Sequence, residues 1–266
     1  SGIIKPESVV YRLLSVLQRR AYKACERVIT ISGDMRNTLI SEGVPAGKVD
    51  VIHNWSHSDD LTDIPPERNE FVKDNDISLD GYKVVYAGNI GLLQNVGVII
   101  EAAFLLKDAG DIVFYLIGDG AKKNELVARA DGYKLTNVRF MPMQEPKFAA
   151  SIYAMADINI IPLMKGIIKA ALPSKTAACL ASGRPLIACL DRDSVFGGMV
   201  AECDNCTVVE SDDARGLADA ITEFKMNRGS GYSQGARRLF AESFSRDKNV
   251  ERYVGIIAGC AAIKRH

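Results

Sequence analysis

Pro173-Ser174-Lys175-Thr176 leads through Ala181-Ser182-Gly183-Arg184-Pro185 into the apolar run Leu186-Ile187-Ala188-Cys189-Leu190. The run reads as a strand apolar on both faces, and the segment ahead of it as a short helix whose start carries Ser174, Lys175 and Thr176. The free N–H groups of a helix start beside a cation suit an anion, phosphate foremost. Upstream, Tyr86-Ala87-Gly88-Asn89-Ile90-Gly91 and Leu116-Ile117-Gly118-Asp119-Gly120 each close an apolar strand with a glycine turn. Three such turns point to one ligand cleft.

Apolar strands recur near residues 83–87, 112–117, 138–141, 158–163, 186–190 and 207–209. Continuous Val/Ile/Leu runs of this kind belong to a parallel sheet covered by helices on both sides. Helical periodicity fills the gaps, as in Val98, Ile99, Ala102, Ala103 and Leu106, or Leu217, Ala220, Ile221 and Phe224. The fold class is α/β: a doubly wound, Rossmann-like parallel sheet, in which ligands lie at the carboxyl ends of the strands. Ahead of it, residues 27–32 and 49–54 read as buried strands, with a helix over 34–42 between them and Gly43 as its stop. The expected organisation is a partial Rossmann-like domain over residues 1–58, a linker at 59–80 that contains Pro65-Pro66, the main domain over 81–240, and a C-terminal helix over 241–266 that packs back towards the first domain.

Composition removes several classes. A chain of 266 residues, 47% hydrophobic, can bury one large core or two modest ones. Lys+Arg and Asp+Glu both number 33, so no field for nucleic acid is implied. The six cysteines lie mostly in apolar contexts, which suits a reducing, cytoplasmic compartment. No apolar run approaches a membrane span of roughly 20 residues, and Ser1-Gly2 opens no secretory signal. Cys203-Asp204-Asn205-Cys206 has metal or redox spacing, but without a second pair or a suitable His it is read as structural. Asp191-Arg192-Asp193 is read as a polar turn, and no metal site is expected.

These motifs, together with Asn137-Val138-Arg139-Phe140 and residues 156–163, occur in an order that resembles the C-terminal part of a two-domain GT-B glycosyltransferase of the large group 1 family (family 4), especially its bacterial surface-polysaccharide branch. Residues 1–58 resemble the end of that family's N-terminal, acceptor-side domain. The resemblance implies a sugar-transfer enzyme, retaining and without a bound metal. It would take a nucleotide-diphosphate sugar as substrate, with no cofactor, and a glycan or lipid-linked acceptor. Position by position, Gly88, Asn89, Gly91 and Gln94 would approach the diphosphate. Gly118, Asp119 and Gly120 would line the nucleoside side, Met143 and Gln144 would face the base, and Ser174, Lys175 and Thr176 would grip the phosphates, Lys175 from the cleft surface.

Two departures bear on the donor. Asn89 and Gln94 stand where many members carry Arg and Lys, and Ala170 and Ala178 where many carry a pair of glutamates. A variant donor site is inferred, and no catalytic residue can be assigned. His53 and His57 are read as linker residues. The first helix carries Val10, Leu13, Leu14, Leu17 and Ala21 on one face, with Arg12, Arg19, Arg20 and Lys23 nearby. It is read as core-facing with a solvated basic face, contact with the inner face of an anionic membrane being the alternative. With so little of an acceptor domain, the chain is expected to be catalytically incomplete by itself and to expose strand edges that invite self-association or a partner chain. A non-catalytic nucleotide-sugar binding subunit and a GT-B nucleotide-sugar epimerase are the alternatives.

Overall fold

The computed structural model describes residues 8–56, 64–227 and 234–263. His57 and the first part of the stretch read as a linker lie outside them.

The chain opens with α1 (Val9–Ala24), β1 (Val28–Thr30), α2 (Gly33–Ser41) and β2 (Val49–Val51). Ser32 starts α2, its hydroxyl accepting the Met35 N–H at 3.1 Å. β1 and β2 pair in parallel, Val28 beside Val49 and Thr30 beside Val51. Both strands are shorter than expected and only half-buried. A sheet of two described strands has little to cover its second face. The reading of α1 as core-facing is likewise corrected: Val9, Val10, Leu13, Leu14 and Leu17 are all exposed.

The remaining elements are α3 (Glu70–Asp74), β3 (Tyr82–Ala87), α4 (Gly97–Leu105), β4 (Ile112–Ile117), α5 (Lys123–Gly132), β5 (Val138–Met141), α6 (Ala149–Met155), β6 (Ile158–Pro162), α7 (Thr176–Ala181), β7 (Leu186–Cys189), α8 (Val195–Ala201), β8 (Cys206–Val209), α9 (Ala214–Met226), α10 (Gly235–Leu239) and α11 (Arg246–Ile263). A π-helical turn, Phe240–Phe244, joins the last two. The larger sheet is parallel throughout, in the order β5-β4-β3-β6-β7-β8. Its strands are apolar on both faces because each face carries a layer. One layer includes Phe71, Ile161, Leu180, Phe196 and Phe244; the other includes Ile99, Phe114, Ile187, Leu217 and Ile221. Truncating any of these to alanine would cost about 2–5 kcal/mol. Strand order reverses between β3 and β6, and in doubly wound sheets such a switch point is where a crevice opens at the carboxyl ends of the strands.

Within the stretch read as a linker, α3 is docked on the sheet. Phe71 and Val72 join the core, and Asn69 is fully buried, accepting from the Val72 N–H and donating to the Ser151 carbonyl at 2.7 Å. The small β1–β2 unit is tied to the rest by polar contacts. The Asp34 carboxylate accepts the N–H groups of Val195 and Phe196, at 2.8 and 3.0 Å, at the start of α8. The Thr38 hydroxyl donates to the Lys169 carbonyl at 2.9 Å. His53, read from sequence as a linker residue, is buried. Its Nδ1 lies 2.8 Å from the Ile31 carbonyl, its ring stacks on Phe244 at 4.5 Å, and Asn249 in α11 donates to its carbonyl.

Candidate functional site

The crevice is built from β3 outward. Tyr86 is buried in β3, and its hydroxyl donates to the Asn89 carbonyl at 2.5 Å, so the strand's own side chain holds the turn that follows. Gly88 bonds back to the Ile117 carbonyl, and Ile90 to that of Asp119. The turns after β3 and β4 are therefore stitched together. At φ +152° Gly118 lies against Gly88, where an added Cβ would overlap the Gly88 carbonyl oxygen. Only glycine permits that approach. The Asn89 amide sits between Gly91 and Gly120, within reach of a Cβ at either. Gln94 lies beside Gly91, and its buried Oε1 has no hydrogen-bond partner among the described residues.

Lys175 closes the floor. The sequence reading put its ammonium at the cleft surface. Instead the side chain runs beneath the Gly88 turn, with Nζ 3.7 Å from the Tyr86 ring centroid and 2.8 Å from where a Gly88 Cβ would stand. Nζ is shut off from water and has no hydrogen-bond partner among the described residues. Burial pushes its pKa down to about 7, with the Cys179 thiol acting weakly the other way. Burial also raises the Tyr86 phenol, leaving it a neutral donor. A buried ammonium held by one ring face is incompletely compensated, and a ligand anion is the partner that would complete it.

The other sequence candidates divide. Ser174 is exposed beside Lys175, and the N–H groups of both have no partner among the described residues. Thr176 is turned away, with its hydroxyl and its N–H both donating to the Pro173 carbonyl, at 2.7 and 3.1 Å. This is an ordinary helix-start turn, which a Ser/Thr hydroxyl closes locally. Asp119 accepts the Gly120 N–H, and Lys123 donates to the Gly118 carbonyl, so this turn is held from its own side. Met143 and Gln144 lie just past β5, whose end meets the site through the Gly118 N–H and the Met141 carbonyl. Met143 is exposed, and Gln144 donates to the Pro142 carbonyl.

Asp191 was read as part of a polar turn. It is buried, and both its oxygens accept the Gly166 N–H, at 2.8 and 3.1 Å. With the Met164 N–H on the Leu93 carbonyl, this ties the loop after β6 to the loop after β3 and to the end of β7. The only advance signal was a carboxylate directly after an apolar strand. Among the described residues there is no cluster of three or more His, Cys, Asp or Glu suited to a metal, and no helix long and apolar enough to cross a membrane.

The parallel sheet with helices on both faces and a strand order that reverses between β3 and β6 defines a doubly wound α/β fold. Residues 81–227 match the family described as "Glycosyl transferases group 1", and the chain belongs to that family. It is 24% identical over 264 residues to the probable glycosyltransferase WbjE of Pseudomonas aeruginosa, covering 97% of this chain and 64% of that protein. It is 32% identical over 180 residues to the putative colanic acid biosynthesis glycosyl transferase WcaI of Escherichia coli, covering 65% and 43%. The chain thus spans less than two thirds of the length of either relative. Among solved structures, HepE of Anabaena in complex with UDP aligns with a TM-score of 0.79 at 16% identity, over 97% of this chain and 70% of that one. Sucrose-phosphate synthase of Thermosynechococcus elongatus aligns with a TM-score of 0.79 at 16% identity, over 95% and 62%. These likenesses place the fold among GT-B glycosyltransferases.

Proposed function

We propose that the crevice binds the diphosphate of a nucleotide sugar, and that the protein this chain represents transfers the sugar, with retention, to a glycan or lipid-linked acceptor in polysaccharide assembly. The observation that carries the reading is the partnerless Lys175 ammonium beneath the Gly88 turn. Family membership and the names of WbjE and WcaI support the reaction class, and the HepE complex with UDP supports a uridine nucleotide as the first donor to try.

Lys175 and the N–H groups of Ser174 and Lys175 would meet negative charge as it develops on the leaving diphosphate, where a desolvated cation acts most strongly. Asn89 and Gln94 would then orient the ligand as neutral hydrogen-bonding groups. The reading assigns this charge to Lys175 and main-chain donors rather than to a metal ion or a cofactor. In it, residues 81–240 form the donor unit and the β1–β2 unit the acceptor side.

The test is titration of the chain with a panel of nucleoside-diphosphate sugars by thermal shift and calorimetry, followed by a structure of the complex. A diphosphate seated between Gly88 and Ser174 supports the reading. Saturable binding at the opposite sheet edge, or no binding by any member of the panel, rejects it.

A further inference from the structure

Cys203 and Cys206 occupy the turn between α8 and β8. The turn is closed by the Cys206 N–H on the Cys203 carbonyl at 3.1 Å. Such closure holds the outer Cα atoms within about 7 Å, the separation a disulfide spans. Each thiol donates to an oxygen at 3.6 Å, Cys203 to the Met199 carbonyl and Cys206 to Oδ1 of Asn205. Both side chains are buried, Cys203 at 6% and Cys206 at 8% exposure, with Cys203 between the exposed residues Glu202 and Asp204 and Cys206 opening β8. We propose that Cys203 and Cys206 form a reversible dithiol–disulfide couple, a modification site for oxidants of the low-molecular-weight disulfide class.

The two sulfurs are differentiated for that chemistry. The neighbouring Cys206 thiol lowers Cys203 against the opposing effect of burial, with Arg238 helping; the neighbouring Cys203, together with burial, raises Cys206. Cys203 is accordingly the attacking thiolate and Cys206 the resolving thiol. In the first step the Cys203 sulfur bonds to one sulfur of the small disulfide, and the other leaves as a thiolate that takes up a proton. In the second, Cys206 loses its proton to solvent and its sulfur attacks Cys203, releasing the second small thiol. Two cysteines are oxidised by two electrons, and one small disulfide is reduced to two thiols.

The site also has a structural address. Asn205, inside the same turn, donates to the Gly183 carbonyl at 3.1 Å and accepts the Ala236 N–H at 2.9 Å. It joins the exit of α7 to the start of α10. Oxidation removes the Cys206 S–H from Asn205 and pins the turn that carries this junction.

The experiment treats the intact chain with oxidised glutathione, alkylates the remaining thiols and maps the peptides. The expected result is a peptide bridged between 203 and 206, short of two hydrogens and restored by dithiothreitol. Cys206→Ser should instead trap glutathione on Cys203, and Cys203→Ser should leave Cys206 unmodified. Full alkylation of both cysteines in a sample where the exposed Cys25 has reacted overturns the proposal, as do separate adducts on the two without a bridge. The wild-type map alone decides the matter if either variant fails to fold.

Discussion

Binding of a nucleotide sugar should carry a proton with it. In the empty crevice the Lys175 ammonium is buried over Tyr86 with its pKa near 7. A diphosphate beside it favours the charged form and returns the pKa towards the ordinary 10.5. At about pH 6 nearly all of the free protein already holds the proton. At about pH 8 only about one molecule in eleven does, so Kd should weaken by about tenfold, or 1.4 kcal/mol, over those two units. The diphosphate of a nucleotide sugar is esterified at both ends and does not titrate in this range. Calorimetry in buffers of different ionisation enthalpy should count close to one proton taken up at about pH 8 and almost none at about pH 6.

Lys175→Met keeps the length of the side chain and removes the charge. It should weaken binding at pH 6 by about 1.5–3 kcal/mol and flatten the pH profile. Its effect on stability has the opposite sign. Because the folded-state pKa lies below the unfolded value, the unfolded chain binds more protons between about pH 7 and 10.5, and stability rises with pH across that window. Below it the cost of burying the cation is fully present, offset by about 1–2 kcal/mol of attraction to the Tyr86 ring. The methionine variant should therefore melt higher than wild type without ligand, by more at pH 6 than at pH 10. A wild-type Kd that is level from pH 6 to 9 with no proton uptake, or an undiminished slope in Lys175→Met, refutes the reasoning.

Gly118→Ala places a methyl where the Gly88 carbonyl sits, so the β3 and β4 turns must part; urea midpoints should show a loss of about 2–4 kcal/mol, and a change under about 0.5 would mean the turns are not packed as described. Asp34→Ala strips the carboxylate from two N–H groups at the start of α8 and should cost about 2–4 kcal/mol, with amide exchange at Val195 and Phe196 accelerated; unchanged exchange there would remove Asp34 as the tie between the two sheets. Burial, reinforced by Arg252 and opposed by the bond to the Ile31 carbonyl, lowers His53 from its ordinary 6.5, so the unfolded chain takes up this proton first. Stability should then fall as pH drops below about 6.5 and on through the lowered folded value, and His53→Phe should blunt that acid limb; an identical limb in the variant would assign it to other groups.

The larger sheet was legible because a parallel strand covered on both faces must be apolar at almost every position, and the runs ending at Ala87, Ile117 and Cys189 are, Lys83 in β3 excepted. The neighbours of each strand were not legible, since periodicity records burial and not pairing. The same limit hid Asp34, whose partners are 161 and 162 residues away, and Asp191, whose partner lies 25 residues back. A carboxylate opening a helix or closing a strand is locally ordinary, and only the assembled chain brings the matching N–H groups to it. The apolar stripe of α1 was readable as amphipathic, but a stripe does not say what covers it. The site shows where residue patterns mislead and where they inform. Glycines at 88 and 118 are demanded by the contact of two backbones, so their presence is equally consistent with an empty turn and a phosphate cradle. Lys175 is the residue on which the proposed cradle rests. Beneath Gly88, burial lowers its pKa and no hydrogen-bond partner answers it among the described residues. A group kept at that cost, at the switch point of a doubly wound sheet, is explained by the anion it would meet there.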